Sequence, residues 1–179
     1  MSDAPMAFRR SELLHGAWVS WLTFVTLMSV TLVVAAVVSD LVSTIRDGAQ
    51  PWGVSLLVIA LPMALAIGGP VAGLVVLALL PVVAAMARRL ARVGSVRVHV
   101  AVYASLGAAI GLVACVVWIT ATGGSWSDLA VFWWGVLTVM AVCAASVAHG
   151  WWRAMRRALY PPRRTPHDPD AQAEDALAG

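Results

Sequence analysis

The chain has no lysine and no asparagine, and only 12% of its 179 residues are charged. Soluble domains carry about 25% charged residues, so half that value excludes an ordinary soluble globule. Arginine at all twelve basic positions reads as the codon bias of a GC-rich bacterial genome. Cysteine is scarce too: there are two, Cys115 and Cys143, and no C-x-x-C pair. Their positions in the spans assigned below put them about 13 Å apart in depth, beyond the ~7 Å limit on Cα separation for a disulfide. A thiol oxidoreductase is therefore not expected, and both cysteines read as small packing residues.

What fills the sequence is apolar: 61% of residues are hydrophobic, gathered in four groups at 17–39, 54–87, 98–120 and 129–150. Three of these match the ~20 residues needed to cross about 30 Å of hydrocarbon as a helix. Lipid offers no partner for loose backbone groups, so helices are the expected spanning form. The run 17–39 is longer than the ~7–15 apolar residues of a signal peptide and lacks an A-x-A site, so it is read as the first span. The expected architecture is an all-α, four-helix transmembrane bundle over residues 17–160, after a cytoplasmic segment 1–16. The polar, proline-rich tail 161–179 is expected to be disordered.

Arginine placement sets the orientation. Arg9 and Arg10 precede the first span, Arg88, Arg89, Arg92 and Arg97 separate the second from the third, and Arg153, Arg156, Arg157, Arg163 and Arg164 follow the fourth. Only Arg46 falls on the other side. The positive-inside rule then places both termini in the cytoplasm of a bacterium, with the spans in its inner membrane. The formal charge of +3 is thus topological, and nucleic acid is not an expected partner. Trp52 and Trp126 are expected at the outer interface, and Trp18, Trp151 and Trp152 at the inner one.

The second group is overlong. Its 34 residues, 54–87, would reach about 51 Å as one straight helix. Splitting it would make five crossings and move an arginine cluster outside, so one span, 54–80, is favoured. A short surface helix over 81–93 is one reading of the surplus, with Pro81 in its first turn; continuation of the span into the cytosol is the other. Within the span, Pro62 and Pro70 remove backbone donors, and Gly68 and Gly69 adjoin Pro70, so a kink is expected there. Packing is its expected use, and an ion site built from the freed carbonyls is the rival.

Small residues suggest how the helices meet. Gly69 and Gly73 form a GxxxG in span two, and Gly107 and Gly111 form another in span three, so these two spans are expected to pack together. Ser20, Thr23, Thr26 and Ser29 spiral around span one and are expected to bond their own backbone, a polar seam between helices being the alternative.

Candidate chemistry is sparse. No Asp, Glu or Arg lies within the four spans, whereas ion-coupled transport usually needs an intramembrane ionisable group. His15, His99 and His149 fall near the inner ends of three spans and are the only metal or haem candidates; their expected role is that of residues at the water boundary. Arg88, Arg89, Arg92, Arg153, Arg156 and Arg157 form a collar suited to anionic headgroups on the cytoplasmic side. The expectation is a non-enzymatic accessory or scaffolding subunit without a cofactor, whose partners are lipid and either other membrane-protein subunits or further copies of itself. A small transporter or channel subunit using the broken second span is the alternative.

Overall fold

The computed structural model describes residues 10–48, 50, 52–91, 93–125, 127 and 132–159. It consists of α1 (Arg10–Asp47), α2 (Gly53–Met63), a π-helical turn (Ala64–Gly68), α3 (Gly69–Leu90), α4 (Val96–Ala121) and α5 (Trp133–Leu159), with no strand among the described residues. The second, third and fourth of these elements follow one another without a gap, so the described residues form four long helices. All four are long and apolar enough to cross a membrane: Leu13–Arg46, Gly53–Leu90, Val96–Ala121 and Trp133–Arg157. This is the build of a multi-pass helical membrane protein. Residues 1–9, 161–179, Arg92, Trp126 and the start of the expected fourth span at 129–131 lie outside the described residues.

The helices overrun the apolar groups because hydropathy marks the hydrocarbon segment, whereas a helix ends where its backbone finds a stop. α1 continues through Asp40 to Asp47 and stops at Gly48, whose φ of +61° suits glycine. α4 closes with a Schellman arrangement: Gly123, at φ +77°, donates its amide to the carbonyl of Thr120, and Gly124 donates to that of Ile119. α3 runs through Pro81 to Leu90, so residues 81–90 continue span two and do not begin a helix of their own.

α5 is the centre of the bundle and packs extensively against both α1 and α4. Each contact depends on missing side chains. On the α4 side, a Cβ at Gly107 would lie 2.5 Å from the Cys143 carbonyl oxygen, and one at Gly111 would lie 2.9 Å from the Met140 Cα. On the α1 side, a Cβ at Gly16 would lie 3.0 Å from Ala154 Cβ, and one at Gly150 would run into Ser20 Oγ and the Gly16 carbonyl oxygen. Ser146, Gly150 and Ala154 thus form a small-residue row on α5 facing Gly16 and Ser20, and Ser20 Oγ donates to the Ser146 carbonyl at 2.9 Å. Of the hydroxyls in span one, Ser20 therefore joins two helices, while Ser29 bonds the Val25 carbonyl of its own helix.

The two GxxxG motifs do not meet, contrary to the pairing of spans two and three expected from them. The motif in α4 faces α5. The motif in α3 faces α1, where a Cβ on Gly73 would lie 3.4 Å from Trp21 Nε1. Span two meets the α4–α5 pair at its last turns, where Val83 and Leu90 pack on the buried cluster of Tyr103, Trp151 and Met155.

At the opposite end, span two is fastened by Asp40. This carboxylate is buried and accepts the backbone amides of Gly53, at 2.6 Å to Oδ1, and Val54, at 2.8 Å to Oδ2. The first amides of a helix have no intrahelical acceptor and carry the positive end of its dipole. An aspartate on one helix therefore caps the next, where capping side chains usually belong to the capped helix. Gly53 leaves room for it: a Cβ there would lie 2.8 Å from the Ala36 carbonyl oxygen and 2.9 Å from Asp40 Oδ1.

Gly107→Ala and Gly150→Ala should each lower stability by about 1–3 kcal/mol through overpacking, while Gly68→Ala, whose Cβ meets nothing within 4 Å, should change it little. Thermal unfolding in mild detergent, followed by near-ultraviolet circular dichroism, checks both. Asp40→Ala should cost about 1–2 kcal/mol and speed hydrogen exchange at the Gly53 and Val54 amides, and Asp40→Asn should retain part of the protection.

Candidate functional site

Three places hold the residues singled out by sequence. The first is the discontinuity in span two. Pro70 cannot donate to the carbonyl four residues back, and its ring crowds the preceding turn. The helix responds by widening: the Gly69 amide reaches back five residues to the Ala64 carbonyl, and Ala64–Gly68 form a single π turn. Pro62 sits one turn earlier, inside α2, and is exposed. The carbonyls that the prolines free are those of Val58 and Ala66; that of Gly69, a separate group, accepts the Trp21 indole N–H of α1 at 2.8 Å. The indole lies against Gly73, where an added Cβ would sit 3.4 Å from Trp21 Nε1, so this glycine receives a tryptophan side chain where a helix backbone was expected; a Cβ on Gly69 would meet nothing within 4 Å. On the outer flank of the turn, Leu65, Ile67 and Val71 are exposed hydrophobics.

The second place is the buried cluster near the ends of α4 and α5. His99, expected at the water boundary, is 1% exposed. Its Nε2 lies 2.8 Å from the Val93 carbonyl oxygen and therefore donates, while Nδ1 is buried without a hydrogen-bond partner. Trp151, expected in the inner interfacial belt, is only 6% exposed. It stacks on His99, with centroids 5.2 Å apart, and on Tyr103 at 5.6 Å, which is why it leaves the lipid boundary for the core. Its indole Nε1 is likewise buried and unpartnered. Trp18, Trp52 and Trp152 remain exposed.

The three histidines are not brought together. His15 is partly buried on α1, His99 is enclosed at the start of α4, and His149 is exposed on α5, where its Nε2 accepts from Arg153 Nε at 3.3 Å. No group of three histidine, cysteine or acidic side chains able to hold a metal exists among the described residues.

The third place is the basic end. Arg88 and Arg89 are exposed on the last turn of α3, and Arg153, Arg156 and Arg157 are exposed on the last turns of α5. The collar is not uniform. His15 and Val19 of α1, with Arg153, Arg156 and Arg157 of α5, line a cavity of about 460 Å³. Sequence reasoning grouped the arginines by topology and missed His15 as their neighbour. The spacing G-x-x-x-S at Gly16–Ser20 and S-x-x-x-G-x-x-x-A at Ser146–Ala154 carried the signal, since it marks the two faces whose contact brings that histidine to the arginines.

Trp21→Phe keeps most of the ring against Gly73 and removes its donor. It should lower the thermal stability in detergent by about 0.6–1.7 kcal/mol, the range of hydrogen bonds between membrane helices, whereas Trp18→Phe, more than half exposed, should have a smaller effect.

No protein-family model matches the sequence, and no curated protein or solved structure matches it.

Proposed function

We propose that the chain is a non-enzymatic accessory or scaffolding subunit of a bacterial cytoplasmic membrane, with both termini in the cytoplasm. The observation that carries this reading is the uneven packing of its helices. α5 is held on two sides, while span two rests on the bundle along one line and exposes most of its apolar side chains, among them Val58, Ile59, Leu74 and Leu77. A helix attached in this way offers a continuous apolar flank at which another transmembrane helix can pack. Its π turn supplies a bend point in that flank. The orientation is supported by charge: Arg88, Arg89, Arg97, Arg153, Arg156 and Arg157 belong to the end of the bundle where α1 begins and α5 finishes, whereas Arg46 and the buried Asp40 belong to the other. The partners in this reading are anionic headgroups at the arginine end and a membrane-protein helix, from a further copy or a different subunit, on span two.

The transporter or channel alternative needs free acceptors and a polar cavity beside the span-two break. The side chains exposed beside the break, Leu65, Ile67 and Val71, are apolar, which favours the subunit reading.

Extraction in mild detergent should recover the protein with a second membrane protein or as a homo-oligomer. Leu74→Trp, on the exposed flank, should weaken that association while changing the stability of the chain by less than about 0.5 kcal/mol, as surface substitutions do. Recovery of the wild type as an isolated monomer overturns the reading.

A further inference from the structure

The arginines of the basic end fall into two classes. Arg88 and Arg89 extend from α3 as separate exposed side chains. Arg153, Arg156 and Arg157 instead share a cavity with His15 and Val19, at the place where α1 and α5 approach most closely. The close approach follows from Gly16, Gly150 and Ala154, so the walls of the cavity are two helices held together by backbone contact. The cavity, about 460 Å³, is open on one side, and the three arginines that line it are exposed.

From these elements we infer that the cavity is a discrete binding site for one phosphate-bearing anion, the headgroup phosphate of an anionic lipid. Three guanidinium groups at spacings of three and four residues present planar donor forks to one volume, and such forks match phosphate oxygens two at a time. The three guanidinium groups share one sign of charge and one volume, so they repel one another. Their mutual repulsion therefore falls when an anion enters. His15 adds a fourth polar group from the opposite helix, so a bound phosphate is gripped from two sides. Val19 lies one turn deeper on α1 and makes that wall apolar. A soluble phosphate has no use for such a wall, whereas the glycerol and acyl portions below a lipid headgroup do. The inference rests on the membrane placement proposed above for this end of the bundle, and not on the identity of any protein partner.

Native mass spectrometry of the full-length protein, with phosphatidylglycerol and phosphatidylcholine titrated separately into detergent, tests it. The expected result is one phosphatidylglycerol per chain retained at least about tenfold more tightly than phosphatidylcholine. Arg156→Gln with Arg157→Gln should abolish that preference, and Arg88→Gln with Arg89→Gln should preserve it. Equal losses in the two double variants, or no preference in the wild type, overturn the site in favour of a diffuse collar. Arg156→Lys with Arg157→Lys guards against misfolding: it keeps both charges, removes the planar forks, and should give an intermediate loss at an unchanged thermal midpoint. Inorganic phosphate titrated into protein in phosphatidylcholine nanodiscs separates the two sources. Weak or no binding agrees with a lipid ligand, and tight binding that His15→Ala abolishes overturns the lipid assignment in favour of a soluble one. Copurification of partner proteins is a separate readout, so failure of the subunit reading is distinguishable from failure of this one.

Discussion

The bundle depends on how closely backbones can approach α5. Between membrane helices the hydrophobic effect gives no preference for helix over lipid, so association comes from dispersion contact and from hydrogen bonds that need short distances. Both are available here only because glycine occupies the contact points: Gly107 and Gly111 of α4 on one side, Gly16 of α1 and Gly150 of α5 on the other. The row Ser146–Gly150–Ala154 lets Ser20 reach a carbonyl of the neighbouring helix, and the same contact brings His15 beside the arginines of α5. The seam with α1 and the basic cavity thus share one cause. Without the close approach the three arginines would be separate flags at a membrane boundary in the sense of the topology rule, with no wall opposite them.

Span two is attached by a different kind of chemistry. Where α1, α4 and α5 are joined by extended contact, span two is attached through Asp40 at one end, Trp21 near the middle and apolar packing at the other end. Its prolines make this arrangement workable. They prevent a uniform helix from forming a uniform interface, and the π turn places an acceptor, the Gly69 carbonyl, in front of an indole donor. Proline and glycine, which weaken a helix in water, here set where it is fastened.

Much of this order was legible in the sequence. Four apolar groups gave four helices, because 20 or so consecutive apolar residues have few other uses. The Gly107–Gly111 pair was readable as a contact surface, but its partner was not: a GxxxG states that something approaches and leaves open what approaches. Gly73 illustrates the point, since a tryptophan side chain lies where a helix backbone was expected. His99 and Trp151 were misjudged for a related reason. Hydropathy assigns a position along the helix; burial depends on rotation about the helix axis, which is decided by neighbours far away in sequence. Asp40 was visible as a carboxylate at a span end, but its role needs the loop to return Gly53 to within reach, a matter of three-dimensional closure.

The position of α5 along the chain has a consequence for biogenesis. Spans enter the membrane in the order they are made, and the first hairpin can form at once, because Asp40 and the amides it accepts lie only thirteen and fourteen residues apart. The other two interfaces cannot. α1 and α4 each find their principal neighbour in the fourth span, so both must wait in lipid with their glycine faces uncovered until translation has passed Leu159. Assembly of the α1 and α4 seams is therefore a closing event and not a progressive one, set by the last span to be made.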